Sequence, residues 1–277
     1  MSLKPIKSMR KRIKKIIPKR MLKRCIKIEW KINCLKRARQ FKGAGVYCPC
    51  CGKSFAKFAE VKVDGRYYNE EMFPENLSAA MCPHCESMPR HRILCDYFEK
   101  NKGGLFVGDP KILIFAPARA LQVWFGKNKI KFISADLFDP LADINIDIQD
   151  VPFEDNEFDF ISCDHVLEHV PDYPLAVSEL FRIVKKGGIA EITVPLLAEM
   201  EKTYEDEKIT SFYERAKAFG QYDHLRIFGK DFESRIKEAG FELSLHDGDE
   251  CDEKIMPLKA PALFDYNKIF ICRKPKA

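Results

Sequence analysis

The 277-residue chain contains no run of about 18 uncharged apolar residues, the length a bilayer-spanning helix needs. Its N-terminus has no uninterrupted apolar stretch, which argues against a secretory signal. Acidic residues are nearly absent from the first 42 positions. Glu29 stands there against 17 Lys and Arg, while the rest of the chain carries 30 basic and 40 acidic residues. Glycine is missing where a phosphate-cradling loop would use it. None of the 14 glycines lies between Gly108 and Gly126, and no Gly-x-Gly-x-x-Gly occurs, which argues against a dinucleotide-dependent oxidoreductase. Cysteine is not scarce. The 11 cysteines form an odd set, and without an export signal they point to a reducing cytosol rather than to disulfides.

Three segments separate by composition. Residues 1–42 form a basic tail with two apolar sets at helical spacing, Met9/Ile13/Ile16/Ile17 and Leu22/Ile26/Trp30, parted by Pro18. A second set of apolar residues, Ile28, Ile32 and Leu35, lies nearby. Cations interleaved with apolar residues suit an anionic membrane surface, and the charge alone suits nucleic acid equally well. The location this implies is cytoplasmic, with peripheral membrane attachment as one option. A partly disordered solubilising tail is the plain alternative.

Residues 43–101 carry two knuckles, Cys48-Pro-Cys-Cys51 and Cys82-Pro-His-Cys85, with a strand-like stretch and an Asp64-Gly65 turn between them. Two matched Cys-x-x-Cys pairs are the pattern of a closed tetrahedral Zn2+ site, so Cys48, Cys51, Cys82 and Cys85 are the expected ligands. Cys50 and His84 are rivals that sit off the two-by-two arrangement. Such a site is structural, because it leaves no coordination position open.

Residues 102–277 alternate short apolar runs with helical patterns, which predicts a parallel sheet covered on both faces. Strands are expected at Lys111–Pro117, Lys131–Asp136, Ile144–Ile148, Phe158–Asp164 and Ile189–Val194, with a helix over Tyr173–Val184 stopped by Lys186-Gly-Gly188. In such a sheet ligands bind beyond the carboxyl ends of the strands. Ala116, Pro117 and Ala118 follow the first strand. Asp136 ends the second, placed to accept hydrogen bonds from ribose hydroxyls, with Leu137 beside it. Asp147 and Ile148 close the third, where a carboxylate can meet an adenine amino group and an apolar side chain its ring. Asp164 and His165 close the fourth and face the reacting centre.

The run Asp147-Ile-Gln-Asp-Val-Pro-Phe-Glu-Asp-Asn-Glu-Phe-Asp159 resembles the third-to-fourth strand region of class I S-adenosylmethionine-dependent methyltransferases, type 11 branch. So do His165-Val-Leu-Glu-His-Val-Pro-Asp172, Glu179-Leu-Phe-Arg182 and Lys185-Lys-Gly-Gly188. A subfamily with a Cys-rich N-terminal unit and an Ala-Pro version of the first loop is also similar, at Gln221–Gly229 and Glu238–Phe241. The resemblance implies an α/β, Rossmann-like, doubly wound seven-stranded sheet whose last strand is antiparallel, built from Glu242–Asp247 and Asn267–Arg273 at its end. It implies S-adenosylmethionine as cofactor and methyl transfer to an unknown acceptor, with glycan, lipid-linked or RNA hydroxyls as options. His165 and His224 are the candidate bases, and His169, His224 and Arg226 the candidate acceptor contacts. The departure is the glycine-free loop Phe115–Ala120, where the family usually carries glycine. It keeps a second reading open, a methyltransferase-like zinc-binding adaptor without activity. Nothing in the residues indicates the oligomeric state.

Overall fold

The computed structural model describes residues 19–62, 68–69, 76–197, 199–248, 251–256 and 268–276. The first apolar set of the tail and the Asp64-Gly65 pair lie outside them. Among the described residues, no helix is long and apolar enough to cross a membrane.

The central sheet is made of β5 (Ile112–Phe115), β6 (Ile133–Ala135), β7 (Phe158–Asp164), β8 (Val184–Thr193), β11 (Glu242–Asp247) and β12 (Lys268–Arg273), in the order β11-β12-β8-β7-β5-β6. β6, β5, β7 and β8 run parallel, β12 is antiparallel to β8 and β11 to β12. The expected seventh strand, Ile144–Ile148, is reduced to one parallel bridge between Ala135 and Ile144, so the described sheet has six strands. Local polar side chains compete for the backbone there. Asp143 Oδ2 takes the Ser134 N–H at 3.1 Å, and Asn145 Nδ2 donates to the Asp136 and Asp139 carbonyls at 2.9 and 2.8 Å. The expected stop at Lys186-Gly-Gly188 is instead a bulge inside β8. Phe158 pairs with Val184 but Phe160 with Ile189, and Gly187 takes the left-handed φ of 76° that the bulge requires.

Alternation along the strands divides the core in two. Leu113, Phe115, Ile161, Cys163 and Ile192 meet α4 (Tyr173–Ile183) and α6 (Phe232–Glu238) on one face. Ile112, Ile114, Phe160 and Ile271 meet α2 (Pro89–Leu105) and α3 (Arg119–Lys127) on the other. α4 starts where Asp172 caps the Leu175 N–H at 3.0 Å, with a proline in its first turn.

The Cys-rich unit joins the second face directly. Its hairpin β1–β2 (Val46–Cys48, Lys53–Phe55) and its pair β3–β4 (Ala59–Lys62, Asn76–Met81) contribute Val46, Phe55, Cys48, Cys82 and Cys85 to the core that holds Trp124 and Phe160. The β3–β4 ladder runs from Ala59 opposite Met81 to Lys62 opposite Asn76. Arg92 of α2, 1% exposed, donates to the carbonyls of Ala80, Ser87 and Ile255 and lies 3.9 Å from the Phe58 ring centroid. Of the tail, α1 (Lys19–Gln40) is one helix, docked by Trp30 and Arg37, both bonded to Glu86, and by the buried Cys34.

One buried acid stands out in this sheet. Glu191 of β8 is fully buried and accepts only the Ser162 hydroxyl, at 2.6 Å. Burial, with Asp164 adding, pushes its carboxyl up to about 8. The folded state therefore holds a proton that the unfolded chain, near 4.5, releases. This contribution to stability is full below about pH 4.5 and is lost as pH rises through about 8. Glu191→Gln, which mimics the protonated acid, should flatten that decline. Its melting temperature should exceed the wild-type value at pH 8 and approach it near pH 5, and parallel curves for the two proteins would refute the assignment.

Candidate active site

The parallel order of β6, β5, β7 and β8 brings their carboxyl ends to one edge. Two non-glycine residues there are held in left-handed backbone conformations, Ala116 after β5 (φ 42°) and His165 after β7 (φ 54°). Each is pinned by the sheet: the Ala116 N–H donates to the Ala135 carbonyl at 2.7 Å, and the His165 N–H to the Thr193 carbonyl at 3.1 Å. The left-handed form costs a residue with a Cβ about 1 kcal/mol, and such strain concentrates at functional sites. The glycine-free loop thus keeps the turn that glycine would adopt freely. Ala118 follows as the residue before α3, and Pro117 is half-buried.

Asp136 stands at the end of β6. Its Oδ1 accepts the Phe138 and Asp139 N–H groups at 2.7 and 2.6 Å, which orients Oδ2 for a further donor such as a ribose hydroxyl. Leu137 and Phe138 beside it are exposed apolar side chains, the second 86% exposed. Sequence reasoning named Leu137 and missed Phe138, although a pair of apolar residues after a strand-end acid was legible. Asp147 differs from expectation: both its oxygens accept from the Gln149 side chain at 3.1 Å, which closes the carboxylate locally. Ile148 is also corrected, since it is buried in the core and offers no surface to an adenine ring.

Asp164 is buried at the end of β7, accepting the Thr193 hydroxyl at 2.6 Å. Its second oxygen lies 3.3 Å from His91 Nε2, a close contact without hydrogen-bond alignment. His91 Nδ1 accepts the Met88 N–H at 3.1 Å, so the neutral ring carries its proton on Nε2, the nitrogen nearer Asp164. Burial lowers the His91 pKa, with Arg90 adding. Burial works the other way on Asp164, but His91, His165 and Arg90 hold its carboxyl below the usual range. Asp164 is thus an oriented internal anion rather than a direct ligand contact.

Beyond it, Glu168 lies in the 3-10 turn Leu167–His169 and is fully buried. Its Oε1 meets His165 Nδ1 at 2.9 Å, and although burial opposes the charge, His165, His224 and His169 hold its pKa at about 2. A carboxylate on Nδ1 is the arrangement that orients an imidazole to use Nε2 as a base. His169 and His224 pack edge to face, 4.9 Å between centroids. The structure corrects the expected roles of two residues. His224 is 5% exposed and burial lowers its pKa to about 4, which disqualifies it as a base near neutrality. Arg226, of β10 (Arg226–Ile227), which pairs with β9 (Tyr204–Glu205), is 4% exposed and donates to the carbonyls of Leu167, Val170 and Pro171 and to Glu205. It fixes the turn that carries Glu168 and His169 and leaves nothing for an acceptor. His169 keeps a third of its side chain exposed.

The four knuckle cysteines converge as the spacing implies, with every pair of sulfurs within 4.8 Å. Cys48 and Cys85 are 3.5 Å apart, Cys51 and Cys82 3.8 Å. Tetrahedral Zn–S bonds of about 2.3 Å require sulfur separations of about 3.8 Å, so the set fits the ion. Cys50 turns instead to the His91 carbonyl, and His84 lies outside the cluster. A cleft of ≈ 690 Å3, lined by Tyr97, Lys185, Arg273 and Lys276, opens at the opposite, amino end of the strands and takes no part in this constellation.

Residues 118–246 match the family model described as a methyltransferase domain. Over those residues, a little under half of the chain, the sequence is similar to methyltransferase domains. The demethylmenaquinone methyltransferase of Staphylococcus haemolyticus is 32% identical over 108 residues, covering 34% of this chain and 45% of the relative. A ubiquinone/menaquinone biosynthesis C-methyltransferase of Brucella canis is 29% identical over 133 residues, covering 42% and 48%. The chain thus spans under half the length of these curated relatives. A methyltransferase structure from Archaeoglobus fulgidus superposes with a TM-score of 0.47 at 13% identity, covering 66% of this chain and 94% of the other. The family match begins at Ala118, just past the strained Ala116.

That strain is testable. Ala116→Val, β-branched at a positive φ, should lower unfolding free energy by about 1–2 kcal/mol, whereas Ala116→Gly should stay within about 0.5 kcal/mol of wild type, strain relief offsetting the entropy of glycine. Urea unfolding of the two variants checks this, and a glycine variant less stable than the valine variant contradicts the left-handed turn.

Proposed function

We propose that this chain transfers the methyl group of S-adenosylmethionine to an acceptor hydroxyl, with Zn2+ on Cys48, Cys51, Cys82 and Cys85 as a structural element. The observation that carries the reading is the pair of left-handed residues, Ala116 and His165, pinned at the carboxyl ends of adjacent strands beside Asp136. A scaffold that had lost the chemistry would have no reason to hold two strained residues there. When bound, the cofactor supplies a sulfonium methyl group as electrophile. Asp136 would hold the ribose, Leu137 and Phe138 would cover the adenine, and the turn at Ala116 would let the backbone approach the cofactor. On the acceptor side, His165 is oriented by Glu168 to take the hydroxyl proton. Most of the protein's task is positioning two reactants in line. The relatives are named for methylation in quinone biosynthesis, one of them at carbon, rather than of glycans or lipid-linked sugars; the oxygen acceptor proposed here rests instead on the Glu168-oriented His165. Calorimetry should show one S-adenosylmethionine per chain, with Asp136→Ala weakening binding at least about tenfold, the loss of roughly one charge-assisted hydrogen bond. Absence of binding heat at millimolar cofactor would end the reading, and native mass spectrometry of the same sample reads the zinc.

We infer separately that α1 lies on an anionic lipid surface. Met21, Cys25, Ile28, Ile32 and Leu35 are exposed and recur at alternating spacings of four and three, the outer stripe of a helix whose other side docks through Trp30, Cys34 and Arg37. The Lys and Arg flanking that stripe complement acidic headgroups, and an apolar stripe has no use on a nucleic-acid backbone. The full chain should co-sediment with phosphatidylserine-containing vesicles, and Ile28→Ser/Ile32→Ser should abolish this without lowering the melting temperature. Unchanged vesicle binding in that variant, or preferential binding to generic RNA, would overturn the assignment.

A further inference from the structure

Among the described residues, one set of side chains besides the cysteine cluster converges as metal ligands do. Glu168, His169 and His224 each offer one donor atom, and these atoms lie within 4.8 Å of one another. Two come from the 3-10 turn that Arg226 clamps, and the third from the loop just before β10. Arg226, two residues beyond His224, ties the two segments together.

Two features show that this is a built arrangement rather than a chance cluster. Glu168 is fully buried, and while Oε1 meets His165, Oε2 has no hydrogen-bond partner among the described residues. A buried carboxylate oxygen ordinarily has one, so this one is set for something else. The second feature concerns the rings. His169 Nδ1 bonds the Asp223 carbonyl at 3.2 Å, and His224 Nδ1 bonds the Phe219 carbonyl at 3.1 Å. A carbonyl only accepts, so Nδ1 carries the proton in both rings, and Nε2 is left with its lone pair. Donation of the second ring N–H to a backbone carbonyl is how proteins orient metal-ligating imidazoles.

We propose that Glu168, His169 and His224 bind a divalent transition-metal ion at the acceptor end of the sheet. Two imidazole nitrogens and one carboxylate oxygen suit Zn2+, Fe2+ or Co2+, and three protein ligands leave positions open, unlike the closed set of four thiolates. Glu168 and His224 are buried and His169 is the ligand that reaches solvent, so the open positions face the side from which an acceptor arrives. The use of the ion rests on the methyl-transfer reading. An acceptor hydroxyl taken as a further ligand is acidified. Its proton passes to His165 or water, the oxygen bonds the methyl carbon, and the methyl–sulfur bond breaks with its electron pair remaining on sulfur. The binding of the ion itself needs none of this.

The test uses the full chain with its thiolate site filled by Zn2+, titrated with Co2+ in the absence of S-adenosylmethionine. Thiolates hold Zn2+ in preference to Co2+, so added Co2+ reports the nitrogen–oxygen site through visible d–d bands without thiolate charge-transfer absorption. We expect about one Co2+ per chain. His169→Ala, at a half-buried position where melting temperature checks that the fold is intact, should weaken it at least tenfold, as should Glu168→Gln. Absence of saturable Co2+ binding, charge-transfer bands alone, or binding that survives His169→Ala would overturn the site. Cobalt binding without cofactor binding in calorimetry would sink the methyl-transfer reading while leaving the metal site standing.

Discussion

The contact between His91 and Asp164 is the constraint from which much else follows. A carboxylate buried at the end of a central strand must be met by donors, and the sheet itself supplies only the Thr193 hydroxyl. The other close partner comes from outside the sheet, on the first turn of α2, after the second cysteine knuckle. Met88 N–H holds the opposite nitrogen of the His91 ring and so fixes its orientation. Arg92, in turn, anchors the helix start on the carbonyls of Ala80, Ser87 and Ile255. The cysteine unit is therefore not an appendage. It sets the angle at which a helix places an imidazole beside the buried acid, and its own apolar residues complete one face of the sheet.

A second dependence runs through Arg226. The segment 167–171 presents the carbonyls of Leu167, Val170 and Pro171 together, the first also accepting the Val170 N–H, and one guanidinium collects all three. Glu168 is charged, fully buried and three residues from His165, so any loosening of the turn would move the carboxylate on which the histidines converge. Stacking of Arg226 over the Tyr173 ring, 4.8 Å away, ties the same turn to the start of α4. Charge in this region is organised by backbone carbonyls and one cation, which lets the acidic and imidazole groups remain ionisable and close together.

Much of the architecture was legible in the residues. Lys111–Pro117 reads as a strand covered on both faces because its apolar run has no polar alternation, and Ile112–Phe115 lies inside the sheet with all four residues buried. The four knuckle cysteines were legible because metal spacing is local. What was not legible depends on docking between distant segments. His91 reads as one more residue of an amphipathic helix, since nothing in its neighbours reveals Asp164, 73 positions on. Arg226 reads as a polar residue near a candidate site, and only the folded turn shows three carbonyls waiting for it. The edge strand after β6 fails for the opposite reason: Asp143 and Asn145 capture the backbone groups a ladder would have used, a local competition that apolar content alone hides. Ala116 occupies the middle ground, since its left-handed turn is set by the sheet's hydrogen bond to Ala135 and not by its own preference.

The hold that residues 251–256 keep on the cysteine unit bears on the order in which the chain acquires structure. Arg92 Nε is satisfied by the carbonyl of Ile255, 163 positions downstream, and the Tyr47 N–H by that of Lys254. The cysteine unit and the turn at residues 254 and 255 are thus closed by contacts of long sequence separation, which pay their loop-closure entropy before any local gain.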